Sequence, residues 1–171
     1  MEYVALGCRS LVALLFLVSA ASKLRGRSAY ADFLAATRRL APPWPPVRVA
    51  AAAVVAAELA IVVLVAAPGT VRAGFALALG LLAAFTCAIA AALRRAERTP
   101  CACFGASDRP LGRGHLARNL ILMAVSALGL LTYAPVTGDV AAMLTAVAAG
   151  AVAAIVVALG DDLIDLFSPT A

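Results

Sequence analysis

Five apolar runs, at 4–21, 49–67, 73–93, 116–134 and 140–160, constrain this chain more than any other feature. Each is close to the roughly 20 residues that a helix needs to cross the hydrocarbon core of a bilayer. The runs at 73–93 and 140–160 hold no charged residue, and the others hold one each: Arg9, Glu58 and Arg118. None alternates with a period of two, so these are helices and not barrel strands. Composition agrees. The 171 residues are 64% hydrophobic and only 13% charged, with a mean hydropathy of +1.01. That is far more apolar surface than a water-soluble domain carries.

The expected fold is therefore all-α: an integral membrane bundle of four to five transmembrane helices with a short interfacial helix, forming one domain over 1–171. The first run is expected to be retained. It lacks the basic leader and the small-residue cleavage site of a signal peptide before Ser22-Lys23-Leu24. Arg9 within it must reach an interface. The net charge of +5 is scattered over short loops with no basic, aromatic-studded surface, which excludes nucleic acid as a partner.

Two stripes of small residues suggest how the helices pack. Ala76, Gly80, Ala84, Ala88 and Ala92 recur every four residues in the third run, and Ala142, Ala146, Gly150, Ala154 and Ala158 in the fifth. Such spacing lets backbones approach closely where lipid supplies no hydrophobic drive. Between the first two spans, an amphipathic helix is expected from a Ser28 cap to Leu40. Tyr30, Phe33, Leu34 and Thr37 would lie on one side of it, with Arg38 and Arg39 at its C-terminal end. Pro42-Pro43-Trp44-Pro45-Pro46 stops it, and Trp44 suits a membrane interface.

Charge sets an orientation. The loop from Ser22 to Val47 carries Lys23, Arg25, Arg27, Arg38 and Arg39. The loop from Arg94 to His115 carries Arg94, Arg95, Arg98, Arg109 and Arg113. With five spans both loops share one side, and the other side offers Arg72 alone. Ten positive charges against one put both long loops in the cytoplasm.

The most specific motif is Pro100-Cys101-Ala102-Cys103-Phe104-Gly105. Thiols two residues apart can approach disulfide distance if the chain turns tightly, and Gly105 gives the turn its freedom. A bridge over one residue would be strained and prone to exchange. Arg98, Arg109, Arg113 and His115, at the start of the fourth span, favour thiolate. The competing readings are a static bridge and a metal site of Cys87, Cys101, Cys103 and His115, whose spacing matches no standard zinc pattern. No metal is therefore assigned. Cys87 is expected to face another helix as a small packed residue, and Cys8, at the other end of the membrane, to be structural.

Glu58 is the other chemical feature. Nine apolar residues flank it on each side, about 13–14 Å of helix. A carboxylate at that depth must face the bundle and be paired, protonated or in contact with a ligand. Arg118 and Lys23 are the cations able to reach inward, and a Glu58–Arg118 bond stands beside a proton or ligand role.

Taken together, Phe16 to Leu24 with its Ser22-Lys23-Leu24 end, Glu58, Cys101-Ala102-Cys103-Phe104-Gly105 and Arg118-Asn119 resemble the MauE family, relatives of the DoxX-like membrane proteins. The resemblance covers about residues 4–135. It implies a small multi-span protein of the inner membrane that assists maturation of methylamine dehydrogenase. The implied role is to support disulfide formation in a secreted target together with a thioredoxin-like partner. The family's paired cysteines fall on Cys101 and Cys103, and its intramembrane glutamate on Glu58. Ala102 departs from the glycine usual between the cysteines. A quinone in the bilayer would be a reasonable electron sink, though no residue specifies one. A non-catalytic assembly factor with a structural Cys-x-Cys clip is the alternative.

Family role and charge disagree about sidedness: the first wants the dithiol outside, the second places it inside. A membrane-impermeant thiol reagent, applied to intact cells after mild reduction, tests this. The charge rule predicts that Cys101 and Cys103 label only once the cells are opened; labelling of intact cells would place the loop outside.

Overall fold

The computed structural model describes residues 1–40, 45–94, 113–134 and 139–167. Among the described residues there are six α-helices and no strand. They are α1 (Glu2–Leu24), α2 (Arg27–Leu40), α3 (Val47–Ala66), α4 (Val71–Arg94), α5 (Arg113–Thr132) and α6 (Val140–Phe167), with a 3-10 turn at Pro68–Thr70. All but α2 are long and apolar enough to cross a membrane. The five spans foreseen from the sequence are thus present.

Helix α1 is the hub. It packs against α2, α3, α5 and α6, while α4 is held by α3 and α5. Val12, Leu15 and Phe16 of α1 meet Ile61 and Val65 of α3, Phe75 and Leu82 of α4, and Leu122 of α5 in one continuous core. On α3 the buried positions are Ala51, Val55, Glu58, Ile61 and Val65, a narrow seam at three- and four-residue spacing. Outside the seams, side chains such as Val63, Leu131 and Leu144 are exposed, as lipid-facing residues should be.

Polar contacts fix the helix directions. Arg9 donates from Nε to the carbonyl of Val65 and from Nη2 to that of Ala66, the last turn of α3. Those carbonyls have no partner within their own helix, and the negative end of the dipole suits a cation. Arg9 thus reaches the interface as its position demanded. Ser10 Oγ donates to the Val147 carbonyl of α6 at 3.1 Å, and the Tyr133 hydroxyl donates to the Pro68 carbonyl. One face of the bundle therefore gathers the start of α1, the turn at Pro68–Thr70, the end of α5 and the start of α6. The opposite face gathers the end of α1, all of α2, the start of α3, the end of α4 and the start of α5.

Helix α2 covers that second face. Phe33 and Ala36 are buried, Tyr30, Leu34 and Thr37 are partly so, and Arg38 and Arg39 are exposed. Phe33 packs with Ala51 and Val55 of α3, and Leu40 packs with Ile89 and Ala92 of α4 and Leu116 of α5. The helix begins at Arg27, two residues earlier than a Ser28 cap implies. Tyr30 N–H donates to the Gly26 carbonyl at 3.1 Å, so Ser28 lies inside the first turn and not at the cap. Trp44 and the prolines before it lie outside the described residues, whereas Pro46 sits at the cap of α3.

The two small-residue stripes behave differently. On α6 the stripe meets α1. Gly150 is buried, and a Cβ there would strike Ser10 Oγ and the Gly7 carbonyl, while Gly7 closes on Ala146. On α4, Ala76, Gly80 and Ala84 are exposed instead, and a Cβ on Gly80 would meet nothing within 4 Å. A spacing of four advances about 40° per step around a helix of 3.6 residues per turn, so a long stripe cannot keep to one side. Ala92, at its far end, has rotated into the core. The close approaches of α4 use Gly74, where a Cβ would lie 2.6 Å from Val65 Cγ1, and Phe75, whose ring fills the space at Gly129. Cys87 is likewise exposed on α4, contrary to the sequence reading of a small packed residue, whereas Cys8 is buried.

Two substitutions check this arrangement. Gly150→Val should lower the unfolding temperature of the detergent-solubilised protein, since overpacking costs about 1–3 kcal/mol. Gly80→Ala should leave it unchanged or raise it, by up to ~1 kcal/mol of helix propensity.

Candidate functional site

Helix α1 brings Ser19 and Lys23 onto one side, one turn apart, where α3 presents Glu58. Lys23 Nζ lies 2.8 Å from Glu58 Oε1, 2.7 Å from Ser19 Oγ and 3.2 Å from the Ser19 carbonyl. Ser19 Oγ in turn donates to Glu58 Oε1 at 2.8 Å. The three groups close a triangle in which a carboxylate oxygen accepts from an ammonium and a hydroxyl at once. All are buried: Ser19 is 1% exposed, Lys23 2% and Glu58 0%.

Helix geometry explains why a lysine one residue from the end of α1 points inward. Side chains on a helix lean toward its N-terminus, so Lys23 runs back along α1 toward Ser19 instead of out to the headgroups. Phe33 of α2 then closes the space above it, its ring centroid 5.2 Å from Nζ, where the face of an aromatic ring attracts a cation. The site is thus assembled from three elements: α1 supplies the ammonium and the hydroxyl, α3 the carboxylate, and α2 the cover.

Of the two cations able to reach Glu58, Lys23 takes it. The hydrogen bonds of Glu58 run to Lys23 and Ser19, so the Glu58–Arg118 bond considered from the sequence is not formed. Arg118 is half-buried on α5 and makes interactions of its own. The second oxygen, Glu58 Oε2, is buried with no hydrogen-bond partner among the described residues, as are Asn119 Nδ2 and Ser126 Oγ on the inward side of α5. The arrangement is electrically neutral overall. It can accept a further hydrogen bond at Oε2 without bringing a net charge into the bilayer.

The other expected site residues stand as follows. His115 is the third residue of α5, half-buried, on the same face of the bundle as α2. Cys101 and Cys103 lie outside the described residues. The helices that flank them, α4 and α5, end at Arg94 and begin at Arg113 on that face. Among the described residues no group of His, Cys, Asp and Glu side chains could hold a metal ion. Ser19 and Ser126 were not singled out from the sequence, and Asn119 entered only beside Arg118 in the family resemblance. A signal for Ser19 existed, because it precedes Lys23 by four residues, the spacing that stacks two side chains on a helix.

The family model described as methylamine utilisation protein MauE matches residues 1–132, which takes in α1 to α5 and the Cys101–Cys103 segment and stops before α6. No curated protein and no solved structure matches the chain.

The pair makes a thermodynamic prediction. Lys23→Met or Glu58→Met alone leaves an unpaired buried charge and should cost about 3–5 kcal/mol. The double variant Lys23→Met, Glu58→Met should recover most of that loss. Unfolding temperatures in one detergent, compared in a double-mutant cycle, check it; additive losses would mean that the two residues do not act as a pair.

Proposed function

The chain belongs to the MauE family of methylamine utilisation proteins, and from that premise we propose that it supports maturation of a partner protein by thiol–disulfide exchange at Cys101 and Cys103. The observation that carries the reading is the extent of the match. It runs through the Cys-x-Cys segment and both helices that bracket it, and the length and apolarity of those two helices support a loop between them at a membrane surface.

The exchange is balanced within thiol chemistry. A thiolate of the target attacks the Cys101–Cys103 disulfide and forms a mixed disulfide. The target's second thiolate then resolves it, leaving the target oxidised and Cys101 and Cys103 as a dithiol. Two electrons and two protons have passed to this chain. The disulfide of a thioredoxin-like partner takes them back by the same steps in reverse. A membrane quinone could accept the same two electrons and two protons, but the exchange does not require one. His115 and the flanking arginines would raise the thiolate fraction. Glu58, with Oε2 open, would accept a proton or a hydrogen bond near the middle of the membrane. The setting proposed is the inner membrane, with a secreted protein as the target and methylamine dehydrogenase as the family's example.

A second reading is a non-catalytic assembly factor whose cysteines are a structural clip. It draws support from the Ser19–Lys23–Glu58 triangle, which holds helices together without any chemistry.

Mass-shift labelling of the purified protein separates the two. The proposal expects Cys101 and Cys103 to cycle between oxidised and reduced forms with a thioredoxin-like protein, and expects Cys101→Ser or Cys103→Ser to abolish maturation of the target. A pair that stays locked in one state, or serine variants that mature the target normally, would favour the clip.

A further inference from the structure

The elbow between α1 and α2 holds a feature that neither the dithiol nor the Lys23–Glu58 pair uses. A groove of about 490 Å³ opens there, lined by Leu24, Gly26, Arg27, Tyr30, Ala31 and Leu34. Its lining is mostly apolar, and its one charged member is Arg27. Arg27 and its neighbour Arg25 are exposed, and neither makes a hydrogen bond or ion pair among the described residues. Asp32, the one carboxylate on α2, is not part of the lining.

The position of the groove matters as much as its lining. It lies where α1 ends and the amphipathic α2 begins, so it sits at the depth of the headgroups. It also lies on the face that carries the chain's excess of cations, which attract anionic headgroups in whichever leaflet meets them. An apolar trough at that depth is bathed in lipid, and an unneutralised guanidinium at its rim fits a phosphate both in charge and in its forked geometry.

We propose that this elbow is a binding site for an acidic phospholipid. An acyl chain lies along Leu24, Ala31 and Leu34, and the headgroup phosphate engages Arg27 with support from Arg25. The site is independent of the thiol chemistry proposed above. It would tie α2, the cover over Lys23, to the lipid beside it.

Native mass spectrometry of the full chain, released from mixed micelles of phosphatidylglycerol and phosphatidylcholine, tests the assignment. The wild type should retain phosphatidylglycerol in preference by roughly tenfold or more, as expected from about 1 kcal/mol for each basic residue near an anionic headgroup. The double variant Arg25→Gln, Arg27→Gln should lose that preference while keeping its unfolding temperature. Ala31→Trp, which fills the trough, should reduce retention of both lipids. Equal retention of the two lipids by the wild type, or an unchanged preference in the double variant, would overturn the proposal. Displacement of phosphatidylglycerol by inorganic phosphate alone would also overturn it, because the site would then recognise a free anion and not a lipid.

Discussion

A charge in the middle of a bilayer has few ways to exist, and the bundle is arranged around one of them. Glu58 sits in the buried seam of α3, and Lys23 and Ser19 of α1 meet it through a single carboxylate oxygen. Desolvating two ions costs several kcal/mol each, and only close geometry with further hydrogen bonds offsets it. The pairing therefore fixes more than one contact. It sets the rotation of α3 about its own axis, the register of α1 against α3, and the placement of α2, whose Phe33 ring lies over the ammonium.

The remaining polar contacts inside the described helices serve the same end. Arg9 closes the carbonyl end of α3, Ser10 bridges to α6, and Tyr133 ties the end of α5 to the turn after α3. Each brings a side-chain donor to a backbone carbonyl of another element. Two of the three start from α1, which is why that helix is the hub. Helix α6 stands apart in this respect: it leans chiefly on α1, through small residues and one hydroxyl, and the family match ends before it begins.

Much of this was legible in the sequence, and the limits are instructive. Run length was enough to find the five spans, because bilayer thickness leaves little freedom. The inward orientation of Glu58 followed from the cost of any other. Its partner did not. Two cations, Arg118 and Lys23, could reach inward, and the backward lean of helical side chains is what sends Lys23 to Glu58. The small-residue stripes show a related gap. One pattern, read twice, marked a packed face on α6 and a lipid-facing one on α4. In an alanine-rich chain a spacing of four arises without selection for contact, and it precesses around the helix in any case. Ser126 was passed over because a single hydroxyl in an apolar run carries no signal of the direction it faces.

The sequence separation of the charge pair has a consequence for how the protein is made. Lys23 and Glu58 are 35 residues apart, so α1 leaves the ribosome and meets the membrane before its counter-ion has emerged. Lys23 tolerates the delay because it is one residue from the helix end and can hold its ammonium among the headgroups until α3 arrives. Glu58, at the centre of its own span, has no such refuge. Its insertion is eased if α1 is already waiting beside it. The order of synthesis, with the cation at the edge first and the anion at the centre second, is the one in which neither helix must enter the lipid with an unanswered charge at its midpoint.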